Sequence, residues 1–95
     1  MDIELGSFVW DSDIEQENIR KHGVSFIEAS NAFRDPCQRM FTDERHSHIE
    51  KRFFCIAKVS DRVVTVRFTY RGHKIRIFGA CYWRKGVKYY NEEGS

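Results

Sequence analysis

Apolar and polar residues alternate with a period of two along residues 62–81, which is the pattern of strands that are buried on one face. The apolar face comprises Val64, Val66, Phe68, Ile75, Ile77 and Gly79. Tyr70-Arg71-Gly72 interrupts the alternation, and a glycine at that point can adopt a positive φ at little cost. The pattern therefore predicts a β-hairpin that turns at residues 70–72.

The opposite face of this hairpin is predicted to be cationic. It comprises Val63, Thr65, Arg67, Thr69, Lys74, Arg76, Phe78 and Ala80. Arg84-Lys85 follows shortly, and residues 62–88 contain no Asp or Glu. Cations on one side of an antiparallel sheet are usually just its solvated side, but a face of this kind also suits a polyanion.

A first short helix is predicted ahead of the hairpin, over roughly residues 12–21. Ser12 and Glu15 have the spacing of a capping box, and Asp11 is an alternative N-cap. Gly23 suits the position just after the C-terminus. The apolar stripe of this helix is thin, so we expect the helix to lie on the surface.

A second short helix is predicted directly after the first. Ser25 and Glu28 repeat the capping-box spacing, and apolar residues continue through Phe33. Asp35-Pro36 should end this helix, because the residue before a proline is driven out of helical geometry.

Three further segments have the composition of β-strands. Residues 8–10 form a short apolar run that predicts an edge strand, and residues 39–41 are a second short candidate. Residues 52–59 alternate with a period of two, and Ser60-Asp61 suits a tight turn into the hairpin.

The C-terminal segment, residues 82–92, predicts a third helix. Trp83, Val87 and Tyr90 lie at i, i+4 and i+7 and could dock on the sheet, while Gly86 should weaken the start of the helix. The chain as a whole predicts a single small α+β domain over residues 1–95. It would have two N-terminal helices, an antiparallel sheet of three or four strands and a C-terminal helix.

Composition adds few constraints. The 95 residues carry a net charge of +2 and three cysteines without CxxC spacing, so neither a disulfide framework nor a zinc knuckle is predicted. His46 and His48 have H-x-H spacing, but nothing downstream completes a ligand set, so we predict neither a metal site nor a cofactor. No apolar run approaches the length of a membrane span, and a cytoplasmic location is expected.

Several motifs stand along the chain. They are Phe8-x-Trp10-Asp11, Asn18, Lys21-His22-Gly23-Val24-x-Phe26-x-Glu28-Ala29, Phe33-x-Asp35-Pro36, Arg71-Gly72, Ile75-Arg76-Ile77 and Gly79-Ala80-Cys81-Tyr82-Trp83-Arg84-Lys85-Gly86. Together they resemble the BrnT family of type II toxins over nearly the whole chain. Two positions depart from that pattern: Ile14 stands where many members have Lys, and Cys81 stands where many have Arg.

The resemblance implies a RelE-like fold and a metal-independent ribonuclease that arrests translation. It also implies neutralisation by a BrnA-like antitoxin with a ribbon-helix-helix DNA-binding part, in a complex such as a heterotetramer. On this interpretation RNA is the substrate, DNA is contacted only through the antitoxin, and no membrane is involved.

Cleavage of RNA without a metal needs groups that move protons and groups that stabilise charge at phosphorus. Arg67 and Arg76 are our candidates for charge stabilisation, and His22 is the candidate acid or base because imidazole changes charge near neutral pH. The candidate substrate-binding residues are Lys21, Arg52, Arg71, Lys74, Arg84 and Lys85. We expect Arg76→Ala and His22→Ala to leave the fold intact and to lower toxicity.

Alternatives to these roles remain open. His22 could simply interact with the C-terminal dipole of its helix, and Asp11 is better explained as an N-cap than as a catalytic group. Trp10 and Trp83 could stack on bases, although core packing is the commoner role of tryptophan. The chain could also be a non-catalytic nucleic-acid-binding module or a protein-interaction module.

Overall fold

In a computed structural model, which describes residues 1–92, the chain folds as six strands and three α-helices. The strands are β1 (Asp2–Leu5), β2 (Phe8–Asp11), β3 (Arg39–Thr42), β4 (Phe53–Val59), β5 (Arg62–Arg71) and β6 (Lys74–Cys81). The helices are α1 (Ser12–His22), α2 (Phe26–Ser30) and α3 (Arg84–Glu92), and single 3₁₀ turns span Asn31–Arg34 and Glu44–His46. The predicted α+β class is confirmed.

The sheet is larger and more mixed than predicted. Its strand order is β1-β2-β6-β5-β4-β3, so it has six strands rather than three or four. β2 pairs in parallel with β6, while the other pairs are antiparallel. The expectation that residues 8–10 form an edge strand is wrong, because β1 pairs with β2 on its outer side.

The hydrophobic core lies between one face of the sheet, which we call the inner face, and the N-terminal helices. Trp10, Phe26 and Phe68 are its largest fully buried side chains. The rings of Trp10 and Phe26 meet edge to face, with centroids 6.0 Å apart, which is a favoured aromatic geometry. The prediction that Trp10 packs in the core is confirmed.

Helix α1 covers the predicted residues, but its N-cap is Asp11, the alternative, so the predicted capping box of Ser12 and Glu15 is wrong. The Asp11 carboxylate accepts a hydrogen bond from the backbone N–H of Ile14 (3.0 Å), and Gly23 ends the helix with φ +71°. Its buried residues, however, are polar. Glu15 accepts hydrogen bonds from the Trp10 indole (3.0 Å) and from a backbone N–H.

Asn18 joins α1 to the edge of β6 beyond the point where β2 stops pairing. Its amide donates to the backbone oxygen of Ala80 (2.9 Å) and accepts from the N–H of the same residue (3.1 Å). The amide also donates to the oxygen of Val24 (3.0 Å). One buried side chain therefore provides hydrogen-bond partners for backbone groups that no neighbouring strand pairs with, and it fixes α1 beside this edge of the sheet.

The hairpin contains a β-bulge that changes which residues share a face. Arg67 pairs with Gly79, whereas the next residue of β5, Phe68, pairs with Ile77, so Phe78 is an extra residue on β6. The predicted alternation therefore fails beyond Ile77. Gly79 shares a face with Arg67, and Ala80 is buried in the core.

Helix α3 crosses the other face of the sheet, which we call the outer face. It docks through Gly86, the one buried residue of α3 in the part of the chain that the structure describes. A β-carbon at Gly86 would collide with Thr65 Oγ1 on β5. The predicted docking residue Val87 is 40% exposed instead. Gly86 thus permits a close helix–sheet approach rather than merely weakening the helix.

Candidate functional site

An open groove of about 380 Å³ lies between α1 and the bulged part of the hairpin. Its walls are formed by Asp13, Ile14, Glu17, Asn18, Lys21, His22, Arg67, Phe78 and Gly79. Three predicted site residues, Lys21, His22 and Arg67, therefore meet here from distant parts of the chain. The bulge contributes directly, because it places both Phe78 and Gly79 at the groove.

Arg67 has an unusual environment for an arginine that is only half exposed. Across the described residues it makes no hydrogen bond or ion pair. Burial raises the pKa of the nearby Cys81 thiol, and the positive charge of Arg67 partly opposes that shift. A guanidinium that is partly desolvated and lacks a carboxylate partner is well suited to bind a phosphate.

Lys21 and His22 lie in the last turn of α1, where cations interact favourably with the helix dipole. The Lys21 ammonium is 3.6 Å from Glu17, which also pairs with Arg20 and whose pKa is lowered chiefly by the Arg20 hydrogen bond. His22 is exposed and faces no carboxylate partner among residues 1–92. A proton-transfer role and a dipole role are both compatible with this position.

Arg52 contacts Phe78, a wall residue of the groove, but lines a separate cavity together with Arg71. Its guanidinium carbon lies 4.2 Å from the centroid of the Phe78 ring, a cation–π distance. Arg52 is also 3.6 Å from Glu50, which pairs with Arg71 at 3.3 Å. Arg71 and Arg52 therefore form a second cationic group beside the groove, partly neutralised by Glu50.

Arg76 and Lys74 both form ion pairs with acidic residues of strand β1. Arg76 forms a bidentate ion pair with Asp2 (3.1 and 3.2 Å), and its side chain is only 15% exposed. Lys74 donates to the oxygen of Gly6 (3.1 Å) and lies 3.6 Å from Glu4. Neither residue lines the groove that contains Arg67, so Arg67 and Arg76, the two candidates for charge stabilisation, do not share that groove.

Arg84 and Lys85 are exposed at the start of α3, away from the walls of the groove. His46, one of the two candidate metal ligands, instead contacts the Asp43 carboxylate at 3.0 Å. No group of three or more His, Cys, Asp or Glu side chains within residues 1–92 has the geometry of a metal site. No helix in that range is long and apolar enough to cross a membrane.

Several groove residues were missed by sequence reasoning. One face of α1 supplies six groove residues in two rows with a spacing of four: Asp13, Glu17 and Lys21 in one row, and Ile14, Asn18 and His22 in the other. Lys21 and His22 were predicted as site residues, and the other four were not. That spacing was visible in the sequence. Phe78 could not have been found in this way, because the bulge that brings it to the groove depends on strand pairing.

Together, the fold and the groove define a small α+β protein in which Arg67, Lys21 and His22 share one open groove with the carboxylates of Asp13 and Glu17. The family model for the BrnT ribonuclease toxins of type II toxin–antitoxin systems matches residues 10–86. The chain therefore belongs to the BrnT ribonuclease toxin family, which confirms the resemblance seen in its sequence. A comparison with curated proteins finds no match.

Proposed function

We propose that this protein is a toxin that cleaves RNA without a metal ion, inhibits translation in the cytoplasm and is neutralised by a BrnA-like antitoxin. The observation that carries the proposal is Arg67, a half-buried guanidinium without an acidic partner among residues 1–92, in one groove with Lys21 and His22. Membership of a ribonuclease toxin family supports the reaction class.

In the proposed reaction the ribose 2′-hydroxyl attacks its own 3′-phosphate and expels the 5′ oxygen. Arg67 binds the phosphate oxygens and stabilises the negative charge that builds up during attack. Lys21 adds positive charge from the α1 wall of the groove, opposite the hairpin that carries Arg67. His22 takes the proton of the 2′-hydroxyl, and the resulting imidazolium or a water protonates the leaving 5′ oxygen, so the products are a 2′,3′-cyclic phosphate and a 5′-hydroxyl.

The remaining cations are proposed to bind the RNA chain on either side of the cleaved bond. Arg52 and Arg71 lie beside the groove, and Arg84-Lys85 lies at the start of α3. The proposed antitoxin covers this cationic surface, in a complex such as a heterotetramer, and supplies the ribbon-helix-helix part through which DNA is bound.

Incubation of the purified protein with plain RNA in excess EDTA tests the proposal. We expect cleavage by the wild type and a loss of about 100-fold or more in rate for Arg67→Ala, the effect of removing one donor to a developing oxyanion. Arg45→Ala is the matched control, because it removes an exposed arginine outside the groove. Absence of cleavage by folded wild type, with RNA bound, would instead indicate a non-catalytic binding module.

The role of His22 has its own test. We expect His22→Ala to remain folded, because His22 is exposed, and to slow cleavage by roughly 100-fold. Added imidazole should restore part of the lost rate of the variant, because it can supply the missing proton-transfer group. If His22 only stabilises the helix end, the variant will lose some stability and keep its rate.

A further inference from the structure

Beside Arg67, on the side away from α1, lies an aromatic pair formed by Trp83 and Phe54. Phe54 of β4 is the register partner of Arg67 on β5, so their side chains are neighbours on the outer face. The Trp83 ring lies over Phe54 with centroids 6.1 Å apart and 30° between the ring planes. Arg67 therefore adjoins Phe54, which in turn contacts Trp83, and it lines the groove together with Phe78.

Packing leaves part of the Trp83 indole exposed to solvent. It contacts Phe54 and, at 6.0 Å, Tyr89, yet the residue is 36% exposed. The other tryptophan, Trp10, is fully buried. A partly exposed indole that contacts Phe54, the neighbour of an arginine without an acidic partner among the described residues, is a combination that can bind single-stranded RNA, because bases stack on rings while cations hold the phosphates.

We propose that Trp83, supported by Phe54, is a stacking platform for the nucleobase next to the phosphate held by Arg67. This inference rests on the proposed function and adds to it a subsite for one unpaired base. The platform requires that the RNA be single-stranded at this point, since a base inside a duplex has no free face to offer. Because every base has a π-face, stacking of this kind tolerates any sequence and favours the bases that stack most strongly.

Tryptophan fluorescence offers a direct test, because Trp10 is buried and Trp83 is the exposed emitter. The probe is a short 2′-O-methyl oligoribonucleotide, which lacks the attacking hydroxyl and so cannot be cleaved. An abasic oligonucleotide of the same length and backbone charge is the control. We expect the base-containing oligonucleotide to quench the emission and to bind roughly 5- to 150-fold more tightly than the abasic one.

Two variants separate stacking from structural support. Trp83→Phe should keep most of the preference for the base-containing oligonucleotide, whereas Trp83→Leu should lose it and retain the affinity for the abasic one. Equal affinity of the wild type for the two oligonucleotides, without quenching at saturation, would overturn the platform. The same would follow if Trp83→Leu weakened binding of both oligonucleotides equally, because that result indicates a role in packing only.

Cleavage of plain RNA, assayed separately, distinguishes failure of this inference from failure of the proposed function. Cleavage without quenching removes the platform and leaves the ribonuclease. Quenching that depends on the base, without cleavage, supports the platform in a protein that binds RNA but does not cut it.

Discussion

At the scale of single residues, the role of a cation in this protein is decided by its neighbours rather than by its place in the strand pattern. Arg67 and Arg76 both belong to the cationic pattern of the hairpin, and the sequence makes them equivalent candidates. In the structure Arg76 is held by Asp2 in a bidentate pair, whereas Arg67 has no acidic partner in the described chain. Of these two arginines, Arg67 is the one without a carboxylate partner among residues 1–92, which favours it for the proposed phosphate contact.

This difference predicts what happens when the Asp2–Arg76 pair is broken from either side. If Arg76 mainly holds β1 in place, Asp2→Asn and Arg76→Ala should reduce stability and activity to a similar, modest extent. The hydrogen bond from Arg76 also lowers the pKa of Asp2, so any contribution to stability should be present above the ordinary carboxyl range and be lost on acidification. Urea unfolding and RNA cleavage of the two variants give the comparison.

An opposite result would restore a catalytic role for Arg76. If Arg76→Ala abolished cleavage while Asp2→Asn left the rate unchanged or raised it, the ion pair would be dispensable and the guanidinium essential. The original expectation that Arg76→Ala lowers toxicity with the fold intact stays a prediction, and this pair of variants decides its cause.

At the scale of elements, the attachment of α3 depends on a glycine. Gly86 lets the helix backbone approach β5 so closely that a methyl group would collide with Thr65 Oγ1. That hydroxyl oxygen is itself buried and makes no hydrogen bond within the described structure. Burying this unsatisfied hydroxyl lowers the stability of the protein, and replacing Thr65 by a smaller residue should make room for a larger side chain at position 86.

We expect Gly86→Ala to destabilise the protein by about 1–3 kcal/mol, the cost of overpacking, despite the higher helix propensity of alanine. Thr65→Ala removes the atom that the new methyl group would meet, so the double variant should recover much of the lost stability. A double-mutant cycle of unfolding free energies measures this coupling. Additive effects of the two substitutions would show that the close approach does not limit α3.

The far end of α3 is attached through a hydrogen bond between two titratable groups. The Tyr90 hydroxyl donates to Asp35, a contact of 2.6 Å that raises the pKa of Tyr90 to about 12. Burial alone would raise the pKa of Asp35, but hydrogen bonds from Tyr90 and from the backbone N–H groups of Lys58 and Cys37 lower it overall. Asp35 therefore joins α3 to the segment between α2 and β3.

The stability that this contact contributes should be lost at both extremes of pH. Because the folded pKa of Asp35 is lowered, its contribution is present above the ordinary value of 3.8 and disappears as the pH falls through the lower folded value. Because the pKa of Tyr90 is raised, its contribution is present below 10 and disappears as the pH rises through about 12. Urea unfolding across pH should show a flatter alkaline limb for Tyr90→Phe, and an unchanged limb would exclude the contact.

At the scale of the whole molecule, local patterns predicted most elements but not how distant elements meet. Capping residues and periodicity located α1, α2 and the hairpin, because those signals act within a few residues. β1 was missed because Asp2–Leu5 is short and mostly exposed, so it carries little hydrophobic signal. The parallel pairing of β2 with β6 and the bulge at Phe78 depend on contacts between segments far apart in sequence.

The candidate site shows the same limit. The residue types Arg67, His22 and Lys21 were identified from the sequence, but their convergence depends on Asn18 fixing α1 against the open edge of β6. The neutralisation of Arg76 by Asp2 was likewise hidden, since these residues lie near opposite ends of the chain. The sequence therefore identified the candidate cations, and the long-range contacts determine which of them share one groove.

The distribution of paired and unpaired cations leads to a prediction about salt. Binding of single-stranded RNA should weaken with added salt, with a slope in log–log form of about −0.7 for each phosphate neutralised. Arg67→Ala should flatten this slope by about 0.7, because its guanidinium has no acidic partner within residues 1–92 and can neutralise one phosphate, which releases a counterion from the RNA. Arg76→Ala should flatten it less, since Asp2 already balances that charge.

Fluorescence titrations with an uncleavable oligonucleotide at several salt concentrations provide the slopes. Equal flattening by both variants would mean that RNA displaces Asp2, and that the bound strand extends along the sheet to β1.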